Sequence, residues 1–445
     1  MIETENFELK LKRAFEYFKE SDRYFVNGKT GYKDIAKNAC SILSDYKNIS
    51  GPICICTDDR GLILSAVAAS LCGGPELMLP HSFSLNALTD MKNIFDFKYA
   101  LTDAAMELPE GVKPVILGNG NITELAFKKN PDDIFLRLFT GGSTGNPKLW
   151  EKSVRNLLGE AFFLSENFGM TGSDVFLSSV PAFHIYGLLF SILVPFVSGA
   201  SVLSATPLFP NEIIKYIIEG KPSILISVPP HYRALNGSEI KKYSLRLAFS
   251  SAGSLNQNDA AYFADKTGIE VNEIYGSTET GGIATRKISD GTDFSVFSGI
   301  EFSVKDERLL VKSEFISQSL PVDEDGFFLT GDRVELLYNG KFMLLGRADG
   351  IVKVGGRRVD LAEIQNRIKK IPGVKDAVVV SVPVPGGREN VISALIEGDI
   401  DVQTIRNALM SQLEPYAVPK KIKVVEKIPL TSAGKYNKTE IDKLL

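Results

Sequence analysis

The sequence predicts an α/β chain: a large N-terminal part on mostly parallel sheets, a β-rich segment after it, and a small α+β part at the C-terminus. Three observations predict it. From residue 53 to residue 274, short apolar runs alternate with segments of helical period, the pattern of parallel strands joined by crossover helices. Near residue 295 the helical periods stop and strand-like runs dominate as far as Gly346. From Leu361 to Val425 both periods return, in a stretch short enough for a separate small domain.

Taken in order, Leu9–Lys19 and Tyr32–Tyr46 read as amphipathic helices with Gly28 and Gly31 between them. Strand Ile53–Thr57, helix Leu62–Cys72 and strands Leu77–Leu79, Tyr99–Thr102 and Pro114–Leu117 come after. Strand Asp133–Thr140 leads into a glycine-rich loop, and helix Val154–Phe168 comes next. Strand Val175–Val180, helix Leu188–Val197, strand Ser201–Ser204 and helix Asn211–Ile218 continue the alternation. Strands Ser223–Val228 and Leu245–Ser250, helix Gln257–Lys266 and strand Glu270–Ile274 complete it.

The β-rich segment holds Ile300–Val304, Leu309–Ser313, Val334–Leu337 and Phe342–Leu345. Asn339-Gly340 between the last two is a strong hairpin signal. The C-terminal part reads as helix Leu361–Ile371, strands Ala377–Val382 and Val391–Glu397, helix Val402–Gln412 and strand Ile422–Val425. The chain divides most readily into 1–348 and 349–445, at Arg347-Ala348-Asp349-Gly350, where Gly350 allows unusual backbone angles.

With 445 residues, 44% apolar and 23% charged, the composition is that of an ordinary globular protein. A net charge of −4 gives no reason to expect nucleic acid or an anionic membrane surface as partner. The acidic start Met1-Ile2-Glu3-Thr4-Glu5 lacks the apolar core of a secretory signal, so the expectation is a cytoplasmic protein. Ile185 to Pro210 carries no charge, but Pro195, Ser198, Gly199, Ser201 and Pro207 break it into a short helix, a turn and a strand rather than an integral membrane segment. Cys54 and Cys56 alternate within a strand-like run with no further ligands at metal spacing, which favours buried packing. Cys40 and Cys72 are scattered.

Six segments carry the chemistry. The first, Thr140-Gly141-Gly142-Ser143-Thr144-Gly145-Asn146-Pro147-Lys148, has little side-chain bulk. Such a loop brings backbone N–H groups and hydroxyls close to phosphate oxygens with one cation nearby, though an ordinary glycine-rich turn has the same composition. It is not a Walker A loop, since Lys148 follows proline and no Ser or Thr comes after it. The others are Pro181–Gly187, containing His184; Tyr275-Gly276-Ser277-Thr278-Glu279-Thr280; Leu329-Thr330-Gly331-Asp332 with Gly346-Arg347-Ala348-Asp349; and Pro429-Leu430-Thr431-Ser432-Ala433-Gly434-Lys435.

In this order and at these separations the segments resemble the adenylate-forming superfamily of acyl- and aryl-CoA synthetases, peptide-synthetase adenylation domains and luciferases. The resemblance runs from about residue 130 to the end. It implies ATP and Mg²⁺ as cofactors, a carboxylic acid as substrate, and coenzyme A, or the phosphopantetheine of an acyl carrier protein, as acceptor. Such chemistry needs positioning and charge neutralisation, because a carboxylate must attack a phosphate.

The resemblance also implies roles. Thr140, Gly141, Gly142, Ser143, Thr144 and Gly145 would hold the pyrophosphate end of ATP, with Lys148 supporting the loop. Tyr275, Gly276 and Ser277 would line the nucleotide, Tyr275 stacking on adenine beside the small residues Ser251, Ala252 and Gly253. Thr278 would meet the α-phosphate and Glu279 the metal. Asp332 and Arg347 would hold the ribose, and Lys435 would bridge the attacking carboxylate and the α-phosphate. Asp349 stands at the hinge about which a mobile C-terminal lid, 349–445, would swing relative to an ATP- and acyl-binding domain, 1–348. Val354-Gly355-Gly356 would then approach the thiol.

His184 would line or gate the acyl and pantetheine side, with a hydrogen-bonded core histidine as the other reading. No aspartate stands beside it to pair a substrate ammonium, which favours an aliphatic or aromatic acid over an amino acid. Departures from the family pattern are Gly350 for a second aspartate, Ser251-Ala252-Gly253 for a Gly-Gly-Ala-Pro segment, and Leu149-Trp150 where small or β-branched residues are usual. The competing readings are a carrier-protein ligase and a non-catalytic nucleotide-binding protein.

Overall fold

A computed structural model describes residues 4–445 except 21, 119–124, 141–146, 355–356, 384–389, 411 and 432–433. Contacts divide the chain into two compact units. The first comprises Met1–Gly291, Val296–Ile300 and Lys312–Pro321; the second comprises Thr292–Ser295, Glu301–Val311 and Val322–Leu445. This division places most of the β-rich segment with the C-terminal residues.

The first unit carries the parallel sheets that the alternation predicts. One sheet runs Lys113–Pro114, Tyr99–Thr102, Ile53–Cys56, Leu77–Leu79, Ile134–Thr140, Lys148–Ser153. It is parallel until its last pair, which is antiparallel. In the second, Tyr24–Val26, Ser201–Val202, Val175–Ser178, Ile224–Ser227, Leu247–Ser250 and Val271–Ser277 lie parallel in that order. Thr30–Gly31 and Gly281–Arg286 pair antiparallel at its two flanks. The apolar strand Ile53–Cys56, and Ile224–Ser227 with its terminal serine, are buried at every residue, because crossover helices cover both faces. Helix Arg60–Leu71 is buried along nearly its whole length and is capped by Asp59, whose side chain accepts the Leu62 N–H.

The uncharged run folds as a helical stretch, Ile185–Leu188, Leu189–Leu193 and Val194–Ser198, closed by Gly199 at φ 69° and followed by strand Ser201–Val202. Among the described residues no helix is long and apolar enough to cross a membrane. All four cysteines are buried, with Cys54 Sγ 3.5 Å from Cys56 Sγ on one strand face.

Sequence pattern misses several elements. Helix Leu85–Ile94, capped by Ser84, joins two strands that the pattern alone makes consecutive. The helix after the glycine-rich loop opens with a π turn, Arg155–Gly159, before Glu160–Asn167. Strand Lys148–Ser153 has no counterpart among the expected elements; its two buried residues, Lys152 and Ser153, are both polar and carry no apolar signature.

The second unit joins an antiparallel sheet, in the order Glu301–Lys305, Arg308–Lys312, Phe328–Leu336, Lys341–Arg347, Asp293–Val296, to a small α+β part. Asn339, at φ 67°, makes the predicted hairpin turn with Gly340. The α+β part has a hairpin, Ile351–Val354 with Arg357–Asp360, then helix Leu361–Lys369 capped by Asp360. Val374–Pro383 pairs antiparallel with Asn390–Gly398, which Lys421–Val425 joins in parallel. Helices Val402–Met410 and Lys438–Leu444 complete it.

Candidate functional site

Parallel strands deliver their outgoing loops to one edge of a sheet, and ligands of α/β folds bind at that carboxyl edge. In the first unit, Pro181–Gly187, Ser251–Gly253 and Tyr275–Glu279 lie at the carboxyl ends of Val175–Ser178, Leu247–Ser250 and Val271–Ser277. The register Ala248↔Val271, Ser250↔Glu273 sets the latter two segments side by side. The Ser251 hydroxyl donates to the Ile274 carbonyl at 2.9 Å. Ala252 adopts φ 70°, a left-handed conformation uncommon for a residue with a side chain.

The glycine-rich loop turns out to connect two antiparallel strands, with Thr140 opposite Lys148. Gly141, Gly142, Ser143, Thr144 and Gly145 lie outside the described residues, as do Gly355 and Gly356 of the expected thiol loop. Trp150, a departure from the family pattern, has a job here: its indole Nε1–H donates to Thr140 Oγ1 at 3.0 Å. Lys148 is exposed.

The Thr278–Glu279 turn closes the hairpin between Val271–Ser277 and Gly281–Arg286. Its glycines are steric necessities: a Cβ on Gly276 would lie 2.2 Å from the Gly281 carbonyl oxygen, and one on Gly281 would lie 2.7 Å from Glu160 Oε2. Ser277 and Thr280 bond each other, Oγ to Oγ1 at 3.0 Å, with each backbone N–H donating to the other's hydroxyl at 3.2 Å. The Ser277 hydroxyl, expected to face nucleotide, is thus engaged in shaping the turn. Thr278 is buried and Glu279 half-buried.

Beneath this turn sit two residues that sequence reading passes over. Lys152, 1% exposed, donates from Nζ to the carbonyls of Glu279 and Phe315, both at 3.1 Å. Glu160, 2% exposed, accepts the Gly282 N–H at 2.7 Å. Burial lowers the Lys152 ammonium to about 8, against the opposing pull of the Glu160 and Glu279 charges. Burial likewise raises the Glu160 carboxyl to about 7, against the Gly282 bond and the Lys152 charge. Asn156, in the π turn, donates to the carbonyls of Glu314 and Ile316 at 2.7 and 3.0 Å.

His184 stands at the residue before the helix that starts at Ile185, without a side-chain capping bond, and its ring lies 4.5 Å from that of Phe183, which in turn lies 4.5 Å from Phe83. Gly187 is required there, since a Cβ would fall 2.0 Å from the Pro181 carbonyl oxygen. Asp58 pins the segment by accepting the Ala182 N–H at 2.6 Å and the Thr206 hydroxyl at 2.8 Å. The buried Arg60 donates to Thr206 Oγ1 and to the Ser204 carbonyl.

In the second unit Asp332 and Arg347 face each other across adjacent strands, Arg347 Nη1 3.6 Å from Asp332 Oδ1. A Cβ on Gly331 would meet the guanidinium at 2.6 Å. Asp349 falls within the turn Ala348–Gly350. Lys435 is exposed on a tight turn: its N–H donates to Thr431 Oγ1 at 3.2 Å, its carbonyl accepts the Thr431 N–H at 2.7 Å, and Gly434 takes φ 73°. Tyr436, next along, anchors that turn through its hydroxyl to Asp376 Oδ1 at 2.9 Å.

Among the described residues no cluster of His, Cys, Asp or Glu forms a metal cage. A single carboxylate, Glu279, beside the Thr278 hydroxyl suits magnesium, which is commonly bound by one or two carboxylates together with the phosphate oxygens of its nucleotide.

Comparison with known proteins gives a family and a fold. The family model described as AMP-binding enzyme matches residues 87–326, more than half the chain, and the AMP-binding enzyme C-terminal domain matches 363–435. A mitochondrial acyl-coenzyme A synthetase of Rattus norvegicus is 26% identical over 344 residues, 68% of this chain and 60% of its own. A 3-hydroxybenzoate/4-hydroxybenzoate–CoA ligase of Thauera aromatica is 26% identical over 71% of this chain and 67% of its own. A 2-succinylbenzoate–CoA ligase of Enterococcus faecalis is 26% identical over 74% and 73%. The matches to the first two curated relatives thus span 60% and 64% of their length.

In fold, ATP-bound MatB of Rhodopseudomonas palustris superposes with a TM-score of 0.81 at 21% identity, over 97% of this chain and 98% of that one. O-succinylbenzoate coenzyme A synthetase of Bacillus subtilis, in complex with ATP and magnesium, gives 0.83 at 18%, over 97% and 99%. By the family model that covers more than half of its length, the chain belongs to the AMP-binding enzyme family.

Proposed function

We propose that the protein is an AMP-forming acid–thiol ligase. A carboxylate oxygen attacks the α-phosphorus of ATP, the bond to the β-phosphate breaks, and pyrophosphate leaves. A pantetheine thiol then attacks the acyl carbon, loses its proton and releases AMP. The observation that carries this reading is the Lys152 bond to the Glu279 carbonyl, which ties the strand after the glycine-rich loop to the turn that carries Thr278 and Glu279. A loop for the departing phosphates and a turn for the reacting one need that fixed relation.

In this reading Thr140, the residues 141–145 and Lys148 hold the pyrophosphate end. Tyr275, Gly276 and Ser251–Gly253 take the adenine, and Ser277 shapes the turn. Thr278 donates to the α-phosphate. Glu279 would hold magnesium, which when bound would supply positive charge to the phosphate oxygens. Asp332 and Arg347 take the ribose. Lys435 stabilises the charge that develops as the acid attacks. The lid is 349–445, turning on Asp349 against 1–348, so that Lys435 leaves before the thiol enters. Phe83 and Phe183 beside His184 favour an apolar acyl group, aliphatic or aromatic. Coenzyme A is the acceptor that the relatives' names favour.

The test is pyrophosphate release with a panel of carboxylic acids, repeated with coenzyme A and with a holo-carrier protein. The expected result is acid-dependent pyrophosphate and AMP, and a thioester with coenzyme A. Thioester formation with the holo-carrier alone would make the protein a carrier ligase. No pyrophosphate with any acid would reduce it to a nucleotide-binding protein.

A further inference from the structure

A buried charge pair is a poor device for stability. Two ions lose their hydration, and apolar replacements of the same volume are often neutral or better. Lys152 and Glu160 are nonetheless both buried, and both are directed at one turn. The Glu279 carbonyl accepts from Lys152 Nζ at 3.1 Å and from the Ser317 N–H at 2.9 Å. Glu160 takes the Gly282 N–H at 2.7 Å, and its other oxygen lies against Gly281 so closely that no side chain fits there. Asn156, four residues before Glu160, holds the carbonyls of Glu314 and Ile316, the segment that also receives Lys152 at Phe315. One strand end and the helix after it therefore grip the Glu279 turn and the strip behind it.

We propose that Lys152, with Glu160 beside it, is a positioning residue that sets the Glu279 turn for the metal–nucleotide complex. Neither side chain touches substrate. Lys152 acts through the Glu279 backbone and Glu160 through Gly281–Gly282, fixing the turn at both ends. The inference rests on the reading of Glu279 as the magnesium carboxylate. Partners that orient a metal ligand typically change metal affinity or activity by about 10–100-fold when removed.

The test compares wild type, Lys152→Arg, Lys152→Met and the charge-free pair Lys152→Met/Glu160→Gln. For each, calorimetry measures binding of Mg·ATP and of ATP in chelator, steady-state kinetics gives KM for ATP and for the acid, and denaturant unfolding gives stability. The expected result is a double variant that folds, binds Mg·ATP about 10–100-fold more weakly, and keeps wild-type affinity for metal-free ATP and a wild-type KM for the acid. Lys152→Arg should recover part of the loss. A folded double variant with wild-type Mg·ATP affinity, or an equal loss for metal-free ATP, overturns the proposal. A double variant that does not fold assigns the pair to stability and overturns it too. Wild type that binds no Mg·ATP would instead overturn the nucleotide reading, and this inference with it.

Discussion

The indole N–H of Trp150 donates to the Thr140 hydroxyl at 3.0 Å, across the two strands that close the glycine-rich loop. With the Thr140 oxygen already accepting one bond, its own proton is left to give to a phosphate. Trp150 is also the sole tryptophan of the chain. Adding Mg·ATP should therefore change the intrinsic tryptophan fluorescence saturably. Trp150→Phe should weaken nucleotide binding by roughly 2–10-fold, the worth of one hydrogen bond. Unchanged affinity in Trp150→Phe would remove Thr140 from the phosphate site.

The cross-strand pair of Asp332 and Arg347 sets up a second prediction. A hydroxyl-accepting carboxylate should matter to ribose and not to the acid. Asp332→Ala should raise KM for ATP by about 10-fold or more, from the loss of charge-assisted bonds worth roughly 1.5–3 kcal/mol. A 2′-deoxy nucleotide should narrow the gap between variant and wild type. Equal discrimination against 2′-deoxy-ATP by both would exclude the contact.

The proposed roles of Lys435 and Asp349 should be separable by half-reaction. Lys435→Ala should slow acyl-adenylate formation by about 10²–10³-fold while leaving turnover of a preformed acyl-adenylate with the thiol near wild type. Asp349→Pro, which restricts backbone angles at the hinge, should do the reverse, keeping pyrophosphate release and losing thioester. Equal damage to both halves by either variant would contradict its assigned role.

Away from the site, Asp174 locks the amino ends of the parallel strands in the first unit. It accepts from Arg246 at 2.6 Å, from the Ser223 hydroxyl at 2.7 Å and from the Thr171 N–H at 2.8 Å. Burial would raise its pKa, yet the bonds from Arg246, Ser223 and Thr171 together hold it below the usual carboxylate range. A depressed carboxylate contributes stability above its unfolded pKa, about 3.9, and loses that contribution as pH falls through the folded value. Asp174→Ala should cost about 1.5–3 kcal/mol at pH ~7, and urea midpoints of variant and wild type should converge in acid.

Much of this is legible in the residues. Strands that are apolar at every position, such as Ile53–Cys56, announce a covered parallel sheet, and Asn339-Gly340 announces its turn. Motif order locates the Thr278–Glu279 turn and the Lys435 turn on the chain. Lys152 is illegible for a physical reason. A lysine in a polar run reads as a solvent position, and what compensates the burial of this one is a carbonyl 127 residues away together with the charge of Glu160. Trp150 reads as an anomaly because its partner lies across a hairpin whose second strand carries no apolar signature. The reciprocal bonds of Ser277 and Thr280 are equally hidden, since spacing alone does not say whether a hydroxyl faces a ligand or its own turn.

The loop between Thr140 and Lys148 passes from strand to strand, and helical structure resumes only after Ser153. Loops that open straight onto a helix lend their anion the positive end of its dipole, a fixed charge that needs no ion in solution. This hairpin lacks that permanent charge from Lys148 onward. Under the proposed reading its nucleotide would bring part of its own neutralisation, so occupancy should follow the concentration of magnesium-complexed ATP more closely than that of total ATP. Magnesium supply would then meter the enzyme as well as assist it.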